Sequence, residues 1–242
     1  MTAASIEVSE ESGVRFLHFG SEWVQGAMRI QRPFDLALEY TREMMGCLLF
    51  NEAPDWPRRA LLIGLGAGSL TKFLYRHRPG CQITVVEIDP RVVGVAHSQF
   101  KLPHDPARIE IVIDDGAHFV RDTAQTFDLI LVDGFDENAQ AGALVSEAFY
   151  RDCRARLNDE GMVVANLFGR TRGHKASFIA LWQAFEENAI AFPSSDAGNS
   201  IALARKGAPL VVDLEALKPA ALALKKSTGL NLSATLGRLA GG

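Results

Sequence analysis

The chain predicts an α/β fold: an open, largely parallel sheet of about seven strands with helices on both faces. Three observations carry this. From Arg59 onward short apolar runs alternate with stretches of helical spacing. The first run, Ala60 to Ile63, turns through Gly64, Gly66 and Gly68 into a helix, and later runs end on the acids Glu87, Asp114-Asp115 and Asp133. Each parallel return of the chain needs a crossover, and helices supply it.

In chain order, Ser5 to Ala27 alternates in short segments broken by Gly13 and Gly20, which predicts a small antiparallel hairpin or meander. Phe34 to Phe50 carries Leu36, Leu38, Tyr40, Met44, Met45, Leu48 and Leu49, a spacing that suits a packed helix. Pro54 and Pro57 close a linker. Strands follow at Ala60–Ile63, Gln82–Val86, Ile109–Ile113, Phe127–Val132 and Gly161–Asn166, with helices starting near Gly68, Pro90, Gly116 and Leu144. A helix His174–Glu187 and the segments Ala189–Phe192 and Ser200–Ala204 complete the sheet. Pro209 opens a tail in which Leu214, Leu217, Ala221 and Leu224 recur at helical spacing, suited to packing on the domain or on a second subunit. The chain thus divides into an N-terminal β segment and helix (1–57), a nucleoside-binding catalytic α/β domain (58–208) and a C-terminal helical tail (209–242).

Composition narrows the function. Lys and Arg number 25 against 29 Asp and Glu, without clustering, so nucleic acid is not an expected partner. Cys47, Cys81 and Cys153 lack the spacing of a zinc site or a disulfide framework and read as reduced, buried thiols; no metal is expected. Met1 to Gly13 lacks the pattern of a secretory signal, and no apolar run approaches the roughly 20 residues that span a bilayer. A cytoplasmic protein without a membrane partner is the expectation.

The chemistry gathers at strand ends. Glycines at a strand-to-helix turn let backbone N–H groups approach an anionic or polar ligand, although they serve close packing equally well. A dinucleotide fingerprint would need its third glycine where Ser69 stands. Glu87, about twenty residues on, is where a carboxylate bonds a ribose hydroxyl pair. Of Asp114 and Asp115, one suits an adenine amine and one a helix cap; Asp115 is the adenine candidate, with Gly116 after it. Asp133 ends a very apolar strand, with Asp136 three residues on, and two acids in a low-dielectric crevice can hold a cationic amine while one takes its proton. No catalytic Ser elbow, glycine–lysine phosphate loop or histidine constellation is present.

The order of glycine turn, Val85-Val-Glu87-Ile-Asp89, Asp114-Asp115-Gly116 and Leu131-Val-Asp133-Gly-Phe-Asp136 resembles the spermidine synthase (polyamine aminopropyltransferase) family, a Rossmann-like branch of the class I methyltransferase fold. The resemblance covers Arg59 to Arg170 and continues faintly to Arg205, while Gln25 to Ile30 and Leu38 to Met45 resemble the N-terminal region of short bacterial members. It implies a transferase in which Glu87 binds ribose, Asp115 and Gly116 form the adenine site, Asp133 is the general base and Asp136 helps bind the polyamine. Tyr40 and Arg42 fall in its substrate-binding region. The implied donor is decarboxylated S-adenosylmethionine, the acceptor a small-molecule amine, and a homodimer is compatible with the family.

Three positions depart from the family. Ala67 replaces an aspartate that holds the donor amine, Thr41-Arg42-Glu43 replaces Tyr-His-Glu, and Phe192 to Asp196 lacks a tyrosine beside the substrate. An uncharged residue 67 and a cationic Arg42 leave S-adenosylmethionine-dependent methylation as an alternative, and a catalytically silent nucleoside-binding homologue as another.

Overall fold

The computed structural model describes residues 5–20, 24–51, 53–134, 142–168, 173–193 and 199–241. Strands β1 (Ile6–Glu11), β2 (Val14–Phe19) and β3 (Val24–Arg29) form an antiparallel meander. Helix α1 (Glu39–Met44) then runs into a 3-10 turn, Met45–Leu49. The main sheet is built from β4 (Arg59–Ile63), β5 (Gln82–Glu87), β6 (Ile109–Ile113), β7 (Phe127–Val132), β8 (Leu157–Phe168), β9 (Ala189–Ala191) and β10 (Asn199–Arg205). Between and after them come α2 (Ser69–His77), α3 (Pro90–Phe100), α4 (Gly116–Asp122), α5 (Glu147–Ala155), α6 (Gly173–Ala184), α7 (Leu214–Thr228) and α8 (Ser233–Gly241).

The seven strands lie in the order β6-β5-β4-β7-β8-β10-β9. The first five in sequence, β4 to β8, pair in parallel, whereas β10 runs antiparallel to both β8 and β9. Their side chains alternate between two cores. Leu62, Val85, Leu131 and Val164 enter one, while Leu61, Ile63, Ile130, Val132 and Val163 enter the other. Burial on both faces explains why these strands read as continuous apolar runs. The sheet's order reverses at β4, which has β5 on one side and β7 on the other. A crevice outside the carboxyl ends of strands forms at such a switch point.

Several boundaries differ from expectation for local reasons. The helix expected over Phe34 to Phe50 is confined to α1 and its 3-10 turn. Its first turn has no side-chain cap, and Gly46 in the turn abuts the Phe192 ring. Near Leu144 the chain forms a 3-10 turn, Gly142–Val145, before Ser146 caps α5 by accepting from Phe149 N. Glu186 and Glu187 adopt positive φ, which stops α6 short of Glu187. The tail forms two helices, and Leu217, Ala221, Leu224, Leu230, Leu232 and Leu236 join the core that contains Met44 and Met45. Among the described residues no helix is long and apolar enough to cross a membrane.

Candidate active site

A cavity of about 500 Å³ opens at the switch point, and its wall is assembled from the carboxyl ends of β4 to β8 together with α1 and the meander. Gly64 and Gly66 line it, with φ of 91° and 50°. Gly64 is required sterically as well, because a Cβ there would lie 2.4 Å from the Asp133 carbonyl oxygen. The third glycine of the turn behaves differently. Gly68 does not line the cavity but occupies the α2 N-cap with φ 66°, against Leu102. Its left-handed backbone gives it a conformational role at the entry to α2, between the lining residues Ala67 and Ser69.

Glu87 ends β5, is 7% exposed and lines the cavity. Its Oε2 accepts from Leu65 N at 2.9 Å and its Oε1 from Asp89 N at 3.0 Å, which ties it to the glycine turn. Each carboxylate oxygen has a further lone pair for a ligand hydroxyl. Asp115 serves two ends at once: Oδ1 caps α4 by accepting from Ala117 N and His118 N, and the residue lines the cavity. Its neighbour Asp114 also lines the cavity and accepts from His118 Nδ1 at 3.0 Å, a contact that holds the Asp114 carboxyl below its usual range. Gly116 is packed so tightly that a Cβ would lie 2.3 Å from Ile63 Cγ2.

Asp133 lies just past the end of β7, its N–H continuing the ladder to Ile63 O. Tyr40 Oη donates to its Oδ2 at 3.2 Å and Asn166 Nδ2 to its Oδ1 at 2.8 Å. Asn199 Nδ2 in turn donates to Asn166 Oδ1 at 3.0 Å, which fixes the orientation of the Asn166 amide. Desolvation lifts the Asp133 carboxyl from 3.8 to about 6, against the opposing pull of the two hydrogen bonds. Desolvation, followed by the Asp133 charge and hydrogen bond, pushes the Tyr40 phenol well above its ordinary value, so it stays a donor at neutral pH. A carboxylate near 6, oriented from both sides, is suited to accept a proton from a substrate amine.

Arg42 is not part of this wall. It turns to the opposite side of α1, donates to Leu36 O and Ala37 O, and lines a separate cavity with Arg29 and Arg32. The sequence expectation that it faces the acceptor is thereby corrected; carbonyls of the preceding loop capture the guanidinium. Asp136 and the Ser194 to Asp196 stretch lie outside the described residues. Sequence reading missed Asn166, Asn199, Glu39 and Gln25, all of which line the cavity. Asn166 carried a signal, since a polar residue near the end of a buried strand is what marked Asp133. Asn199 carried none, because it reaches the site through the antiparallel return of β10 onto β8.

Residues 38–194 match the spermine/spermidine synthase domain family. A polyamine aminopropyltransferase of Chromobacterium violaceum is 37% identical over 234 residues, spanning 97% of this chain and 88% of the relative. The crystal structure of a probable spermidine synthase from Corynebacterium glutamicum shares the fold with a TM-score of 0.76 at 21% identity, over 93% of this chain and 91% of that one. Human methyltransferase-like protein 13, solved in complex with SAH, shares it with a TM-score of 0.71 at 24% identity, over 80% of this chain and 93% of its own.

Proposed function

Since the chain belongs to the spermine/spermidine synthase family, whose relatives are transferases, we propose that it moves an aminopropyl group from a decarboxylated S-adenosylmethionine-type donor to a small amine. One observation carries the choice of donor. The ionisable carboxyl groups on the described cavity wall are Glu39, Glu87, Asp114, Asp115 and Asp133, and no described residue lining it is Lys, Arg or His. Such a wall attracts a sulfonium and ammonium groups and repels the carboxylate that an intact methionine moiety carries.

The residues then divide the work. Glu87 and Asp115 bind the nucleoside beside the glycine turn. Asp133, held by Tyr40 and Asn166, accepts a proton from the acceptor ammonium. The freed nitrogen lone pair attacks the carbon next to sulfur, the C–S bond breaks, and its electron pair stays on sulfur to give a neutral thioether. The positive charge moves to the new secondary amine, which remains among carboxylates. Asp136 is assigned to polyamine binding by the family motif. The objection raised by Arg42 falls away because it faces elsewhere, and Ala67 is packed against Gly26, where an added Cβ would meet it at 2.6 Å.

Calorimetry with both donors, combined with mass spectrometry of products from a panel of diamines, tests the proposal. The decarboxylated donor should bind at least about tenfold tighter, and products should gain an aminopropyl group. Tighter binding of intact S-adenosylmethionine with methylated products would overturn it.

A further inference from the structure

Helix α1 is six residues long, too short to hold its conformation unaided. It nonetheless has to keep the Tyr40 hydroxyl on Asp133. It packs on β8 and β10, and side chains of α8 add a polar tie. Arg238 of α8 donates through Nη1 to Glu39 Oε1 at 3.0 Å, and its Nη2 is paired with Glu43 Oε1. Thr235 Oγ1 donates to that same oxygen at 3.4 Å. Glu39 and Glu43 stand four residues apart, on one face of α1, so a single guanidinium spans the helix. Glu43 is 0% exposed, and a carboxylate so buried demands a cation beside it.

We propose that Arg238 is a positioning residue for the transfer reaction: by holding Glu39 and Glu43 it sets the orientation of α1 and keeps Tyr40 on Asp133. This rests on the reading of Asp133 as the base given above. A buried ion pair is a weak source of net stability compared with apolar packing, so what this one contributes is orientation. Among the described residues, two elements deliver groups directly to Asp133, Tyr40 from α1 and Asn166 from β8, with Asn199 of β10 behind the latter. The remaining titratable groups on the described cavity wall are Glu39 from α1, Glu87 from β5, and Asp114 and Asp115 after β6. Removing Arg238 changes only the α1 contribution.

The test compares Arg238→Gln, Arg238→Lys, Tyr40→Phe and the Arg238→Gln/Tyr40→Phe pair in the full chain. Arg238→Gln should lower kcat about tenfold, leave the donor KM within about twofold, and move the acidic limb of kcat/KM upward, as Tyr40→Phe does. Arg238→Lys should fall between it and the unaltered chain. The paired variant should be no slower than Tyr40→Phe alone within about twofold, because Arg238 acts through Tyr40. A lower Tm with kcat and acidic limb unchanged, or losses that multiply in the pair, would overturn the proposal. Should Arg238→Gln fail to fold, Arg238→Lys carries the same comparisons. Carbonyl-detected 13C NMR of Asp133 without substrate separates this proposal from the functional one. A raised midpoint in Arg238→Gln supports the link even if no aminopropyl product forms, and an unmoved midpoint sinks it.

Discussion

Replacing Asp133 by asparagine separates the stability of the fold from the chemistry of its cavity. Burial lifts this carboxyl from 3.8 to about 6. As pH rises the unfolded chain gives up its proton first, so between those values the folded state binds more protons than the unfolded one. Stability therefore falls through that window, and the full penalty is present above it. The displacement corresponds to about 3 kcal/mol at pH 7.5 and about half of that at pH 5. The amide in Asp133→Asn has no charge to desolvate, keeps an oxygen for Asn166 Nδ2 and offers a donor to Tyr40 Oη. In the variant those hydrogen bonds do not vary with pH, and in the native carboxyl their preference for the charged form is already contained in the value of about 6. The signature is thus the growth of the stabilisation, by roughly 1 kcal/mol, from about pH 5 to about pH 7.5. Urea denaturation of both proteins across that range measures it. In the same variant kcat should fall at least about a hundredfold while nucleoside affinity changes little. A stability difference that is flat with pH refutes the desolvation reasoning, and unchanged turnover refutes Asp133 as the base.

Lys72 gives an opposite slope. It is 1% exposed, donates to Phe100 O at 2.7 Å, and is pushed by burial from 10.5 to about 7. The unfolded chain holds that proton longer, so stability should rise with pH from about 7 toward 10. Lys72→Met should flatten the rise in thermal melts, and an unaltered slope would exclude Lys72 as its source. Gly64→Ala places a methyl group at a φ of 91° and 2.4 Å from the Asp133 carbonyl. It should cost about 3 kcal/mol or more in chemical denaturation, together with most activity; a native-like midpoint would show that the turn yields. Glu87→Gln exchanges one acceptor oxygen for an amide NH2 donor facing the N–H of Leu65 or Asp89. Affinity for methylthioadenosine should fall about tenfold to a hundredfold by calorimetry, and wild-type affinity would reduce Glu87 to a brace of the turn.

How much of this was legible follows from where the information resides. Gly64, Glu87 and Asp133 could be placed from sequence because each ends an apolar run that is buried on both faces, and parallel topology then sends all three ends to one side. Asp115 was legible as an acid at a helix start, and it turns out to cap and to line the cavity together. The conformational role of Gly68 was not legible, because a left-handed helix entry and a ligand contact leave the same residue in the sequence. The direction of Arg42 was illegible for another reason: it depends on carbonyls exposed by the irregular segment before α1. The α8 contact escaped notice because it joins residues 39 and 238, and spacing within one helix says nothing about such a partner.

The small meander has a consequence for anyone recombining this protein with its relatives. Phe19, Val24, Gln25 and Gly26 form one side of the cavity, and Gly26 meets Ala67 with no space for a side chain between them. A graft that exchanges the large sheet alone would seat a foreign glycine turn under a strand shaped for this one. Chimeras should therefore carry residues 14 to 29 and 64 to 68 from a single parent, and a library that varies position 67 should vary position 26 with it.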